Sequence, residues 1–504
     1  MKLKAKILNI ATKGPYIAIL NKITAAKLNI EPLDRIKIRD GSKKELVVAV
    51  DFSYGKKEIA ENEIGLFLDV SDILGIKDNE LVNTSIMPKP ESLELIKKKL
   101  DGHELSKDEM DKIIKDIVNN ELTEIEATYF VSGCYIHKLS LDEAAYLTEA
   151  ILNNGGRLHF SGKKVVDKHC IGGIPANRTT MVITPIIAAA GFYMPKTSTR
   201  SITSPAGTSD VMEVLAPVSH SKNKIMDIVK KTNGCMVWGG TMDLASADDK
   251  LIKLERPLNL DPEGIMLASI LAKKASAGAS HIVIDIPVGA EAKIKDIKKA
   301  KDLARKFIVL GRRLNMNIKV LLTDGSQPVG NGVGPALEAR DVLSVLEGHG
   351  PGDLRDKSLY MASMILDMVG VPNPSNKAKN ILDSGLALHK MKEIIKAQGG
   401  NPKITSSDIK LGFYTYTFNS SKSGKVSYLS NNLVNKIAKA AGAPFDKGSG
   451  IYLHKKLNEN VSVGDPLLTI YADNIKKLEY AKSFNLSKVY AFGSRERVSL
   501  SIKN

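Results

Sequence analysis

Hydrophobic positions change their spacing repeatedly along the chain, and each change marks a different kind of element. From residue 1 to about 88, the short apolar runs LKAKILNI, YIAIL, RIKIRD, ELVVAVDF and LVNTSIM are separated by turn-forming residues and end at MPKPES. This pattern predicts a small β-rich domain over 1–88. Residues 92–155 switch to helical periodicity, and three capping boxes open the apolar runs: Ser106 with Glu109, Thr123 with Glu126, and Ser140 with Glu143. A helical domain is expected over 89–160, joined by part of 245–275. From Gly156 to about Gly350, short apolar strands run into Gly- or hydroxyl-rich loops and then helices, as in KKVVDKHCIGG followed by NRTTMVITPIIAAAG. Repeats of that unit predict a parallel sheet, assigned to a central α/β domain over 161–398 whose last part, 351–398, is helical. Beyond a linker at Gly399–Pro402, KVSYL and GIYLHKKLNENVSVGDPLLTIYA predict an α+β domain over 399–504. The expected fold class is therefore multidomain α/β, with a β-rich, a helical, a parallel α/β and an α+β part in that order.

Composition narrows the function classes. The chain has 504 residues, 43% hydrophobic and 25% charged, enough for more than one core. No window approaches about 20 uninterrupted apolar residues, and MKLKAKILNIATKG lacks a long apolar segment with a small-residue cleavage site, so a cytoplasmic protein without a membrane partner is expected. Cys134, Cys170 and Cys235 form neither a paired framework nor a zinc-type spacing, and no metal is expected. The net charge of +16 fits either small polyanionic ligands or a lysine-solvated surface. With only 5% aromatic residues to provide stacking faces, nucleic acid is not the expected partner.

In parallel α/β sheets ligands sit beyond the carboxyl ends of the strands, so the loops there are where chemistry is sought. In DKHCIGGIPANRTT, Gly172 and Gly173 leave backbone N–H groups open to an anion, or simply shape a turn, and Lys168 is read as a mobile charge beside them. In TSTRSITSPAGTSD, hydroxyl donors crowd around Arg200, a composition suited to phosphate; Asp210 and Glu213 stand near the next helix start. Asp261 lies in a Pro-bounded loop before an apolar helix, as a cap or an acid. Ser269 and Lys273, four apart, share a face of that helix, and Lys293 follows the strand HIVIDIPVG. The glycines of GSQPVGNGVGPALEAR lack the full dinucleotide spacing.

Taken together, KHCIGG, STRSITSPAGTSD and ASILAKK resemble the KHSTGG loop, the Ser-Gly-Arg-type loop ending in GGT-x-D, and the SILAKK helix of the thymidine and pyrimidine-nucleoside phosphorylase family, over roughly residues 90–500. The additional N-terminal domain makes the chain most similar to the archaeal, nucleotide-cleaving branch of that family. The resemblance implies phosphorolysis of nucleoside 5′-monophosphates: AMP and phosphate give adenine and ribose 1,5-bisphosphate, with CMP and UMP as further substrates. It implies that Gly173, Thr199, Arg200, Ser201, Ile202, Thr203, Ser204 and Thr208 bind nucleotide and phosphate, and that Ser269 and Lys293 contact substrate. Asp261, kept protonated by burial, would donate a proton to the base, with Lys168 and Lys273 near phosphate and base. It implies no cofactor, phosphate being a co-substrate, and a homodimer or larger homo-oligomer. Where the nucleoside enzymes are Gly-rich and carry His, this chain has Ser201 to Pro205, and the added donors suit a second phosphate. The alternatives are a thymidine or pyrimidine-nucleoside phosphorylase, a phosphoribosyltransferase, whose acidic pyrophosphate motif is not found, and an RNA-binding protein using the basic N-terminal domain.

Overall fold

In the computed structural model of the chain the described residues are 1–12, 15–41, 44–55, 57–201, 204–241, 246–258 and 260–493. They form two compact units, Met1–Gly155 with Ala245–Ala272, and Gly156–Leu244 with Lys273–Asn504.

The first unit begins with six strands: β1 (Lys2–Leu8), β2 (Ile17–Asn21), β3 (Arg35–Arg39), β4 (Glu45–Ser53), β5 (Glu63–Phe67) and β6 (Leu81–Met87). They close into a barrel in the order β1-β5-β2-β4-β3-β6. Period-two burial drives the closure: Leu3 and Ala5 of β1, Ile36 and Ile38 of β3, and Leu46, Val48 and Val50 of β4 face one core with Ile64 and Leu66 of β5. Helices Lys107–Val118, Glu124–His137 and Leu141–Asn153 follow, and all three capping boxes are formed at their starts. Glu143 does more than cap. Its buried carboxylate also receives Lys99 Nζ at 2.7 Å and Leu105 N–H at 3.0 Å. Arg35 of β3 reaches Glu126 of the second helix, and Lys250, on helix Ser246–Glu255, donates to the carbonyls of Ile117 and Val118 at 2.8 Å each.

The second unit is built on parallel strands β7 (Val166–Cys170), β8 (Met194–Ser198), β9 (Gly234–Trp238), β10 (His281–Val288) and β11 (Asn317–Asp324). β11, β10 and β7 form one ladder, β8 and β9 another, and a parallel bridge joins Val165 to Tyr193 between them. Helix Thr179–Ala189, TTMVITPIIAA, is buried nearly all round and packs with helices Pro335–Leu346, Gly352–Met368 and Leu386–Ala397 into the main core. The C-terminal strands β13 (Tyr414–Asn419), β15 (Gly450–Leu453) and β17 (Pro466–Ala472) form a sheet with β12 (Gly332–Val333) in the order β12-β15-β17-β13, while β14 (Gly424–Leu429), β16 (Asn460–Val461) and β18 (Tyr490–Phe492) form a second small sheet. The glycines of GSQPVGNGVGPALEAR thus serve packing: a Cβ on Gly332 would lie 2.5 Å from the Leu337 carbonyl oxygen. Among the described residues, no helix is long and apolar enough to cross a membrane.

Candidate active site

Beneath the loops of the second unit lies a buried layer of charge that the sequence motifs do not announce. Asp167 of β7 holds Lys274 Nζ at 2.7 Å and Lys196 Nζ at 3.2 Å, and Lys196 also donates to the Lys168 carbonyl at 2.7 Å. Asp285 of β10 is fully buried and accepts from Thr323 Oγ1 at 2.7 Å and from Asn177 Nδ2 at 3.2 Å, with Lys357 at 3.0 Å and Lys168 at 3.5 Å. Two carboxylates thus face four lysines. Burial alone would raise both acids, but the lysines outweigh it and hold Asp167 and Asp285 below the ordinary carboxylate range. Burial, with Lys274 beside it, pushes Lys196 down to about 7 against the pull of Asp167. His169 is held well below its ordinary value by burial and by the surrounding lysines, Lys274 first among them, so its imidazole is neutral at pH 7. The mobile charge expected of Lys168 is instead a fixed one: its side chain is buried and donates to Thr179 Oγ1 at 2.8 Å.

The loop after β7 is bent by left-handed residues, with φ of +86° at Gly172, +95° at Gly173, 55° at Ala176 and 67° at Asn177. Gly173 lies directly against the loop after β10. A Cβ there would sit 2.3 Å from Lys293 N and 2.7 Å from Lys293 Cβ. That second loop is closed by Gly289 N–H on the Ile294 carbonyl at 3.1 Å, and Glu291 pins it by accepting from Asn432 N–H at 2.9 Å and from Ser430 Oγ at 3.1 Å. The structure therefore brings Gly173 and Lys293 together, with the Lys293 side chain exposed.

The loop after β8 is tied by Asp210, which accepts from Ser201 N–H at 2.7 Å and Gly207 N–H at 2.8 Å. Gly207 is required where it stands, because a Cβ would lie 2.7 Å from the Thr199 carbonyl oxygen. Many of the hydroxyls read as phosphate donors are engaged inside the loop. Ser201 Oγ donates to the Ser204 carbonyl, Ser204 Oγ to the Ala206 carbonyl, and Ser198 Oγ meets Ser209 Oγ at 2.7 Å. Arg200 likewise grips protein: Nη1 bonds Glu213 at 2.8 Å, and the guanidinium lies 5.1 Å from the Trp238 ring centroid. That pair holds Glu213 down to about 2. Thr208 receives Arg178 Nη1 at 3.3 Å, and Arg178 is itself paired with buried Glu338. Thr199 is exposed at the loop surface. Ile202 and Thr203 lie outside the described residues.

Asp261 and Ser269 belong to the first unit and Lys273 to the second. Asp261 is exposed on its unit, in the loop before helix Glu263–Ser276, so that unit does not supply the burial expected of it. Ser269 is buried, and Lys273, one turn further along the helix, is half-buried. Among the described residues, no group of three or more His, Cys, Asp or Glu side chains is placed to hold a metal ion. Sequence reasoning missed Asp167, Arg178, Lys196, Lys274, Asp285 and Lys357. Only the charged pair Asp167–Lys168 inside an apolar strand hinted at them.

Comparison with known proteins agrees with this architecture. Family models match residues 93–155 (glycosyl transferase family, helical bundle domain), 162–261 (glycosyl transferase family, a/b domain) and 425–488 (pyrimidine nucleoside phosphorylase C-terminal domain). Among solved structures, anthranilate phosphoribosyltransferase from Thermus thermophilus shares the fold at a TM-score of 0.52 and 16% identity, covering 60% of this chain and 98% of that one. AMP phosphorylase 1 of Archaeoglobus fulgidus is 45% identical over 93% of each chain, and the AMP phosphorylase of Thermococcus kodakarensis is 45% identical over 95% of each. On the strength of likeness at this level across nearly the whole of both chains, this chain belongs to the AMP phosphorylase family.

Proposed function

We propose that this chain cleaves AMP with inorganic phosphate, releasing adenine and ribose 1,5-bisphosphate. One observation carries the reading. Coverage of 95% leaves fewer unmatched residues than the 88 that precede the helical part, so the likeness to the AMP phosphorylases includes the N-terminal barrel as well as the parts shared with nucleoside enzymes. CMP and UMP are the further substrates on this reading, and a cytoplasmic homodimer or larger homo-oligomer without cofactor is its expected form.

Phosphate attacks the anomeric carbon as the bond to the base breaks, through a transition state of oxocarbenium character. Gly173 and the segment 199–204 with Thr208 bind the nucleotide and phosphate, Ser269 and Lys293 contact the substrate, and Lys168 and Lys273 stand near phosphate and base. Asp261 gives its proton to the departing base, so that the base leaves neutral; general acid help of this kind is worth about 10²–10⁴ in rate. The lysine-rich layer under the loops supports the assignment of anions to them.

Base release from AMP and from adenosine, each with and without phosphate, tests the proposal. Phosphate-dependent adenine release from AMP alone supports it, whereas equal release from adenosine makes the chain a nucleoside phosphorylase. Normal AMP turnover by Asp261→Asn would remove the proton-donor role.

A further inference from the structure

The start of helix Asn431–Ala440 grips the loop that carries Lys293 at two points. Glu291, two residues before Lys293, is half-buried, and its carboxylate accepts from Asn432 N–H at 2.9 Å, from Ser430 Oγ at 3.1 Å and from the Tyr428 hydroxyl. Nearer β10, Asn431 Nδ2 donates to the Gly325 carbonyl at 3.0 Å, and Gly325 backs onto Gly289, where a Cβ would lie 2.7 Å from that carbonyl oxygen. Little slack lies between the two points, because Ala292 N–H returns to the Gly289 carbonyl at 3.0 Å and Gly289 N–H reaches the Ile294 carbonyl at 3.1 Å. Lys293 N, in turn, is the atom that a Cβ on Gly173 would meet first.

Capping does not account for Glu291. The helix has a cap of its own, since Ser430 Oγ accepts from Leu433 N–H at 3.2 Å. Burial works against a charge at Glu291, yet the donors of Tyr428, Asn432 and Ser430 outweigh it and hold the carboxyl below its ordinary value, so that it is a carboxylate at pH 7. A charged acceptor that takes donors from three residues, one of them a first-turn N–H at the positive end of a helix, makes a strong and directional tie. What that tie fixes is the backbone two residues before Lys293.

We propose that Glu291 is a positioning residue for phosphorolysis: through it the start of helix Asn431–Ala440 sets where Lys293 stands. The proposal rests on the reading of Lys293 as a substrate contact. Steady-state phosphorolysis of AMP by the full chain carrying Glu291→Ala, Lys293→Ala or both tests it, together with amide hydrogen exchange of the peptide 287–296. Glu291→Ala should lower kcat/KM by about tenfold to 100-fold, as misplacement of a substrate contact does. In the Lys293→Ala background the same change should cost no more than about twofold further, because its effect runs through a side chain already removed. A merely structural role would lower kcat/KM by the same factor in both backgrounds, and that additivity would overturn the proposal. Glu291→Gln, which keeps an acceptor for Asn432 N–H, should show the same non-additivity with a smaller loss, and additivity there would overturn it equally. Exchange of 287–296 should quicken about tenfold in Glu291→Ala, as loss of hydrogen bonds to a charged group predicts, and unchanged exchange would also overturn the proposal. Absence of base release from AMP in the wild type would instead defeat the functional reading, and the exchange result alone would then decide whether Glu291 holds the loop.

Discussion

Replacing Gly173 with alanine, with Gly172→Ala as its partner, separates backbone strain from displacement of Lys293. Both glycines have positive φ, +95° and +86°, so alanine at either costs about 1–2 kcal/mol in backbone conformation. They differ in what a Cβ would meet. At Gly172 there is nothing within 4 Å, whereas at Gly173 the new carbon would lie 2.3 Å from Lys293 N. Ordinary contact begins near 3.4 Å, so the Lys293 loop must retreat by about 1 Å, the difference between those two distances. Overpacking of this sort costs about 1–3 kcal/mol more, and a catalytic or binding group misplaced by about 1 Å loses about 100-fold in rate. Urea unfolding should therefore show a loss of about 1–2 kcal/mol in Gly172→Ala and clearly more in Gly173→Ala. Steady-state phosphorolysis should show kcat/KM close to wild type in the first and about 100-fold lower in the second. Equal kcat/KM in the two variants would refute the reasoning, because only one of them moves Lys293.

Three further perturbations address the surrounding charges. Asp285→Asn strands Lys168 and Lys357 in a buried layer and should cost about 3–5 kcal/mol in urea unfolding; a loss below about 1 kcal/mol would show that the lysines reorganise freely. Glu213→Gln releases Arg200 from a partly exposed pair worth about 1 kcal/mol or less, so the KM for phosphate or AMP should fall by up to about fivefold; a rise would show that Glu213 positions Arg200. Burial pushes Asp341 from its ordinary 3.8 up to about 6, although it accepts from Asn331 and Gly332 N–H groups at 2.7 Å. Because its folded value is raised, its contribution is fully present below 3.8 and is lost as pH rises through about 6. Asp341→Asn keeps an acceptor and removes the ionisation, so its stability relative to wild type should grow between pH 4 and pH 7 by about 3 kcal/mol; a difference flat with pH would contradict this.

What the sequence makes legible is what is local. The capping boxes at Ser106, Thr123 and Ser140 are read correctly because four consecutive residues contain the whole interaction. Strands with period-two burial, such as the Lys-Leu-Lys-Ala start of β1, are equally plain. β5 is not, since EIGLF is five residues long with a glycine at its centre, and its strand character comes from pairing with β1 on one side and β2 on the other. In the loop 199–208 the composition points to anion binding, yet the partners of Arg200 come from Glu213 and Trp238, and Ser201 and Ser204 donate to the loop's own carbonyls. Counting donors in a sequence does not reveal which of them the backbone uses.

The pairing of Gly173 with Lys293 shows how a site emerges from register. Each is only a glycine or a lysine after a strand, and 120 residues separate them. β7 and β10 run parallel with Val166 opposite His281 and Cys170 opposite Asp285; β10 runs on to Val288, so the loop that leaves β7 after Cys170 passes alongside the end of β10, where Gly173 meets Lys293. The same register sets Asp167 opposite Ile282 and Asp285 opposite Cys170, and each carboxylate gathers its own pair of lysines, Lys196 and Lys274 at Asp167, Lys168 and Lys357 at Asp285. A lysine in a strand reads as a solvent-facing residue in sequence, yet Lys168 of β7 and Lys196 of β8 are buried, and Lys274 and Lys357 reach the same two carboxylates from helices Glu263–Ser276 and Gly352–Met368. The glycine contact and the buried lysine–carboxylate groups beneath it are thus assembled from residues far apart in the chain, which is why no single stretch of sequence announces them.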